Sequence, residues 1–395
     1  MKVLRKLAAK LDVSPEYLET GRELSEREHR ELRLAEAELV LRLGDASNAE
    51  GQLRRLANEA ADAGDRSAAS RAHLALALAA DERGDHAGAV AGFAHAFSFE
   101  RPSPLVRLDV YATLGRAYGA LGDSAHEIAL YEQCLEEVER AAPYAASTLT
   151  RYRILLSYAL SDAGDLEQAE RVLREALRDA SGDDDPYMRI RVFWSLARLS
   201  EMEGRSSVAL RYTRRAIALL DATEDHLHRA RAHLLAAWIM NSTGDGTGAH
   251  GQLTLAESLF GDSAAADDLA RVTIERARIE ALAGNGAAAV RAAQAAIDLL
   301  GEQHEPILGA AFAAMGDGLA LVGETDAACV AFARAVDLLE ETHRWHEVER
   351  ACLAWAEALR AAGRPEEAHA VGERGSRLVR RARSAAGERS SAPSR

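Results

Sequence analysis

A glycine followed by Asp, Arg, Asn or Glu recurs along this chain at Gly44, Gly84, Gly122, Gly164, Gly204, Gly244, Gly284, Gly323 and Gly363, at spacings of 40, 38, 42, 40, 40, 40, 39 and 40 residues. Nine copies of one unit therefore cover residues 25–383 of the 395. A period of this length identifies a repeat architecture, in which each unit buries its apolar face only against its neighbours. Each copy reads as helix, tight turn, helix. The glycine accepts the left-handed geometry that ends the first helix, and the Asp after it, present in five of nine units, can cap the second. Five residues past the glycine stands Ala in eight units, the exception being Glu127. Twelve past it stands a small residue, again with one exception, Leu56. Positions seven apart share a helical face, so two small residues there let a neighbouring helix come close.

The third unit carries Tyr111, Leu114, Gly115 and Tyr118 before Gly122-Asp123, then Tyr131, Cys134 and Leu135. The fifth keeps Phe193, Leu196 and Ala197, and the eighth Phe312, Gly316, Ala328, Phe332 and Ala335. This pattern resembles the tetratricopeptide repeat, lengthened from the usual ~34 residues. The resemblance implies an all-α fold, a right-handed α-α superhelix (a TPR-like solenoid) of about nine helix-turn-helix repeats. Proteins of this kind are binding scaffolds rather than one kind of machine.

Composition agrees. Alanine supplies 83 residues, whereas Pro (8) and aromatic residues (20) are scarce, a balance that favours helix and disfavours an all-β fold. The three cysteines, Cys134, Cys329 and Cys352, are far apart and odd in number, which fits small buried thiols in a reducing compartment. No secretory h-region and no 18-residue apolar run occurs, so a cytoplasmic location is expected.

The two ends depart from the repeat. Residues 1–21 place Leu4, Leu7, Ala8 and Leu11 on one helical stripe, and Ser14-Pro15 opens a second short helix. The pattern Leu-Arg-Lys-Leu-Ala-x-x-Leu-x-Val-Ser-Pro-Glu-Tyr-Leu-x-x-Gly, from Leu4 to Gly21, resembles the closing third of an Xre-family helix-turn-helix domain, with Val13 to Leu18 fitting at every position. That resemblance implies a remnant, with the DNA-reading helices upstream of Met1; an ordinary capping pair of helices is the plainer reading. Residues 384–395 read as a disordered basic tail. All three lysines fall within the first ten residues, and residues 11–373 alone carry a formal charge of −24. A body that acidic repels nucleic acid over most of its surface.

No catalytic constellation stands out, no cofactor is expected, and the chain reads as a non-enzyme. His226-x-His228 and His343-x-x-His346 approach metal-ligand spacing, but neither has neighbouring cysteines or suitably spaced carboxylates, so no metal site is assigned. In the resembled repeat the first helix of each unit lines a concave groove at positions 13, 10, 6 and 3 before the turn glycine. The outermost position reads Glu31, Arg71, Asp109, Arg151, Arg191, Arg231, Arg271, Ala310 and Arg350. Its recurrence across units suits ion pairs between neighbouring repeats. The position six before the glycine alternates Arg116, Tyr158, Arg198, Trp238 and Arg278 over five successive units. Packing does not require cations to alternate with aromatics; bidentate contact and stacking with a ligand would use both. Trp194 and Asn241 sit at two of the remaining groove positions.

These seven residues are the expected binding site, for a peptide, a protein or a small anionic effector. The residues at the N-terminus make the chain similar to regulators that join an Xre-type helix-turn-helix to tetratricopeptide repeats. That similarity implies a ligand-sensing region, contact with DNA only through a helix-turn-helix not present here, and a homodimer among the expected assemblies. The competing expectation is a scaffold for protein–protein interaction with no transcriptional role.

Overall fold

The computed structural model describes residues 10–11, 25–43, 46–141, 146–182, 185–261, 264–301 and 305–390. Among them are eighteen α-helices of the repeat array and no strand, two to each repeat: α1 (Glu26–Arg42) packed with α2 (Ala46–Asp62), α3 (Arg66–Glu82) with α4 (His86–Phe99), and α5 (Leu108–Ala120), then α6 (Ser124–Arg140). Next come α7 (Ala146–Asp162) with α8 (Leu166–Ser181), α9 (Pro186–Met202) with α10 (Ser206–Leu220), and α11 (His226–Ser242) with α12 (Gly246–Phe260). The array ends with α13 (Ala266–Leu282) and α14 (Gly286–Leu300), α15 (Glu305–Leu321) and α16 (Thr325–Glu341), and α17 (Trp345–Ala361) and α18 (Pro365–Ser390). The fold is an all-α helical repeat, as the forty-residue period requires.

The turn chemistry works as the sequence implies. At the α7–α8 corner Gly164 has φ +86°. The amide of Gly164 donates to the carbonyl of Ser161 at 3.0 Å, and that of Asp165 to Leu160 at 2.9 Å. This double bond pattern satisfies the last carbonyls of α7. The Asp165 carboxylate then accepts from the amide of Gln168, and Asp85, Asp123 and Asp245 do the same at their own helix starts. Each such cap is worth about 1 kcal/mol. Where Arg205 stands in place of Asp, α10 begins without a side-chain cap.

The small positions form the helix–helix seams. Ala169 with Ala176, Ala209 with Ala216, Ala249 with Ala256, and Ala289 with Ala296 are all buried to within 1% of complete exclusion from water. Larger residues fill the space between seams, as where Ile274, Leu300, Leu308 and Leu338 close around Ala277, Ala293 and Ala311. Cys134 and Cys352 are buried and Cys329 half-buried.

The chain divides into two compact units, Met1–Leu121 with α1–α5 and Gly122–Arg395 with α6–α18. The division falls inside the third repeat, although the period alone suggests one continuous array over 25–383. The proposed helix-turn-helix remnant lies outside the described residues, apart from Lys10 and Leu11. At the other end the backbone remains helical to Ser390, six residues past the point where a disordered tail is expected. Ala, Arg and Glu predominate there, and these residues lose little on entering a helix.

Candidate functional site

Unit 2 encloses a cavity of about 1010 Å3, whose wall comes chiefly from the first helix of successive hairpins. The position six before the turn glycine contributes Arg198 on α9, Trp238 on α11, Arg278 on α13, Asp317 on α15 and Glu357 on α17. The position ten before contributes Trp194, Leu234, Ile274, Ala313 and Leu353, and the position thirteen before contributes Arg231, Arg271, Ala310 and Arg350. Offsets of three and seven residues lie on one helical stripe, so the repeat turns the same stripe inward on the first helices of five successive repeats. The α16–α17 corner adds Arg344, Trp345, His346 and Glu347. Three of the chain's four tryptophans line this one cavity.

Four of the seven expected site residues, Trp194, Arg198, Trp238 and Arg278, therefore meet on one wall. Tyr158 stands behind it: its hydroxyl shares a hydrogen bond with Ser195 Oγ at 2.9 Å, and the Arg198 guanidinium lies over its ring at 5.7 Å. Asn241 is buried and turned away, donating from Nδ2 to the Glu275 carboxylate at 2.7 Å and to its carbonyl at 3.2 Å. Arg116 belongs to unit 1, where it bonds Thr113 Oγ1 at 3.1 Å and pairs with Asp81 at 3.4 Å.

The arginines of the wall fall into two sets. Arg231 forms a two-pronged pair with the buried Asp268 at 2.8 and 2.9 Å, the neighbour-unit ion pair that a recurring Arg suggests. Arg71 does the same with Glu38 in unit 1 at 2.7 and 2.8 Å. Arg278 is bound to Glu275 at 2.5 Å, and Arg344 to Glu347 at 2.8 Å. By contrast Arg198, Arg271 and Arg350 have no carboxylate within ion-pair distance among the described residues. Arg350 instead lies over the ring of Trp238, at 5.6 Å. Arg271 is open to solvent inside the cavity, yet enough protein surrounds it that burial, and then Arg344, lower its pKa against the pull of Glu347. Burial and then Arg278 do the same to Arg350.

Acids share this wall. Burial raises Asp317 to about 6 despite Arg278 and Arg350, and raises Asp162 despite Arg344 and Arg198. Counted over the lining, eight carboxylates face six arginines. The cavity is thus mixed in charge, and its electrostatics do not favour the small anionic effector expected from the Arg column. The reason is that α15 and α17 carry Asp317 and Glu357 at the register where α9 and α13 carry arginine. Asp162, Arg344 and Trp345 escaped the sequence reading because they flank turns, outside the periodic groove positions.

The tetratricopeptide repeat family profile matches residues 108–137, the stretch of α5 and α6. The chain carries a tetratricopeptide repeat. No curated protein matches it. Among solved structures it is similar to a Rap protein complexed with the competence and sporulation factor, at 16% identity and TM-score 0.62, covering 90% of this chain and 98% of that one. The apo form of the quorum sensor NprR from B. thuringiensis aligns over 96% of both chains at 14% identity and TM-score 0.54. The Rap conjugation gene regulator of the plasmid pLS20, in complex with the Phr* peptide, aligns over 80% of this chain and 75% of that one at 13% identity and TM-score 0.50. At such identities the likeness establishes the fold. Among the described residues no helix is long and apolar enough to cross a membrane, and no group of three or more His, Cys, Asp or Glu could hold a metal ion.

Proposed function

We propose that this chain is the ligand-sensing region of a regulator, and that it takes up a short peptide or a protein segment in the cavity of unit 2. The observation that carries the reading is the meeting of three unpaired arginines, Arg198, Arg271 and Arg350, with Trp194, Trp238 and Trp345 on one wall. An unpaired cation held in partly desolvated surroundings costs stability, about 1 kcal/mol or more, unless a ligand restores its partners. The volume is at the upper end for small-molecule sites, and mixed charge among indole rings suits a chain of amides and side chains better than a compact anion. The pLS20 regulator and its Phr* peptide supply a precedent on a similar fold.

The regulatory half of the proposal rests on residues 1–21, whose resemblance to an Xre-family remnant would couple ligand binding to DNA recognition by helices outside this chain, with a homodimer as the assembly. A scaffold that holds a folded partner is the alternative.

The test is thermal unfolding of the full chain in the low-mass fraction of a cell extract, before and after peptidase digestion. A peptide ligand raises the midpoint, and digestion abolishes the rise. Arg198→Ala and Trp238→Phe should each reduce it. A rise that survives digestion would show that the ligand is not a peptide.

A further inference from the structure

The arginines of the cavity wall are held in two chemically different ways. Arg231, Arg278 and Arg344 direct their N–H groups at Asp268, Glu275 and Glu347. Arg198 and Arg350 are held against aromatic rings instead. The Arg198 guanidinium carbon lies 5.7 Å from the centroid of Tyr158, and that of Arg350 lies 5.6 Å from the centroid of Trp238. An aromatic face steadies a guanidinium without supplying the in-plane acceptors that its N–H groups seek. Among the described residues neither Arg198 nor Arg350 donates a hydrogen bond or forms an ion pair. The rings are themselves fixed. Ser195 Oγ, in a residue only 2% exposed, donates to the Arg191 carbonyl at 3.0 Å, so the Tyr158 hydroxyl is the donor in its 2.9 Å bond to Ser195. Trp238 packs on Ala197, Leu235 and Ile239. Both guanidiniums line the cavity, already positioned for acceptors that the fold does not provide.

Resting on the peptide reading above, we infer that the ligand is an acidic peptide, whose Asp or Glu carboxylates are received by Arg198 and Arg350. A carboxylate matches the planar guanidinium fork with two parallel hydrogen bonds, which a single carbonyl or hydroxyl does not. Because a ring already holds each arginine, less side-chain freedom is lost when the carboxylate arrives. The acids of the wall are compatible with such a ligand. Asp268, Glu275 and Glu347 are matched by their own arginines, and a peptide, unlike a compact anion, brings amide N–H groups and an ammonium for the others. Arg271 has no such ring beneath it, so it adds charge to the wall without fixing where a carboxylate sits.

The test passes a random pool of synthetic hexapeptides, free at both ends, over the immobilised full chain and sequences the retained peptides by mass spectrometry. Asp and Glu should be enriched over their isosteric amides, Asn and Gln, at one or two positions. Residues 11–373 carry a formal charge of −24, so non-specific retention would favour basic peptides and acid enrichment reports the site. The best-retained peptide and its amide counterpart are then titrated against the full chain by calorimetry. The acidic form should bind at least about tenfold more tightly. Arg198→Lys and Arg350→Lys keep the charge but lose the fork, and each should shrink that preference. Neither arginine is hydrogen-bonded within the described fold, so both variants should fold. Tyr158→Leu should weaken the acidic form about two- to fivefold and leave the amide form unchanged, whereas a merely structural loss would weaken both. Equal binding of the two forms, or no retention from the pool, overturns the acidic assignment. A preference that survives both Lys variants places the carboxylates elsewhere and overturns the roles of Arg198 and Arg350. The peptide reading itself is decided separately, by whether peptidase destroys the extract ligand.

Discussion

The guanidinium of Arg350 on α17 lies over the indole of Trp238 on α11, 5.6 Å from its centroid. Two groove columns meet in this contact, since Trp238 stands six residues before its turn glycine and Arg350 thirteen before its own. A cation over an indole contributes about 0.5–1 kcal/mol where solvent reaches it, and more when it is desolvated. Trp238 also packs on Ala197, Leu235 and Ile239, so a single substitution mixes two effects. A double-mutant cycle of Trp238→Leu with Arg350→Met separates them. We expect a coupling of about 0.5–1 kcal/mol in chemical denaturation. A coupling indistinguishable from zero would make the stacking incidental.

Arg231 and Arg271 occupy the same register in adjacent repeats, yet opposite outcomes are expected on replacing them. Removing Arg231 strands Asp268, which is only 5% exposed, without its two-pronged partner. Breaking a buried pair from one side costs about 3–5 kcal/mol; Arg231 keeps contact with water, which reduces this to about 2 kcal/mol. Arg231→Ala should therefore lower the thermal midpoint by several degrees. Arg271→Ala removes a charge that has no partner, and its midpoint should stay level or rise slightly. Equal losses in both variants would contradict the division of the column into structural and unpaired members.

Gly122 has φ +70°, and a methyl group there would come within 2.8 Å of the His343 ring. Gly204 has a similar φ of +72° and open space around it. Gly204→Ala should cost about 1 kcal/mol, the strain of a left-handed alanine. Gly122→Ala adds displacement of His343 and should cost roughly 1–3 kcal/mol more, the range for overpacking. Denaturant midpoints of the two variants measure the difference. Adding His343→Ala to Gly122→Ala should recover the excess and leave only the backbone strain.

The repeat was legible because one backbone problem, ending a helix and starting another, is solved by a left-handed glycine at eight described turns forty or so residues apart. Gly164-Asp165 and Ala169 are examples: each answers a local demand, so each shows at a fixed spacing. The site was legible only where it follows the helical stripe, as with Arg198, Trp238 and Arg278. Whether an arginine is bound or free depends on a residue some thirty-seven positions away in an adjacent repeat, as Asp268 is for Arg231. Periodicity carries no record of that partner, so Arg231 and Arg271 look alike in sequence. Asn241 illustrates the same limit, because Glu275 on the next hairpin turns it inward. Arg116 fits the alternating column but lies in the other compact unit.

Glu127 breaks the alanine rule of the second helix, and its carboxyl is buried in the seam that alanine fills elsewhere. Burial, reinforced by Asp162, raises its pKa from 4.5 to about 8. A carboxyl whose pKa is raised by folding does not oppose folding below its unfolded value near 4.5. Between that value and about 8 the unfolded chain releases the proton freely while the folded chain retains it, so stability declines with rising pH. The full penalty, on the order of 5 kcal/mol from a shift of 4.5 to about 8, is reached above pH 8. Glu127→Ala should therefore unfold at a higher temperature than wild type at pH 8, with the gap closing toward pH 5. Glu127→Gln keeps the volume and should show the same pH trend with a smaller gain, since a buried amide still lacks partners. Parallel stability curves for wild type and Glu127→Ala from pH 5 to 8 would mean that the carboxyl reaches water in the folded protein.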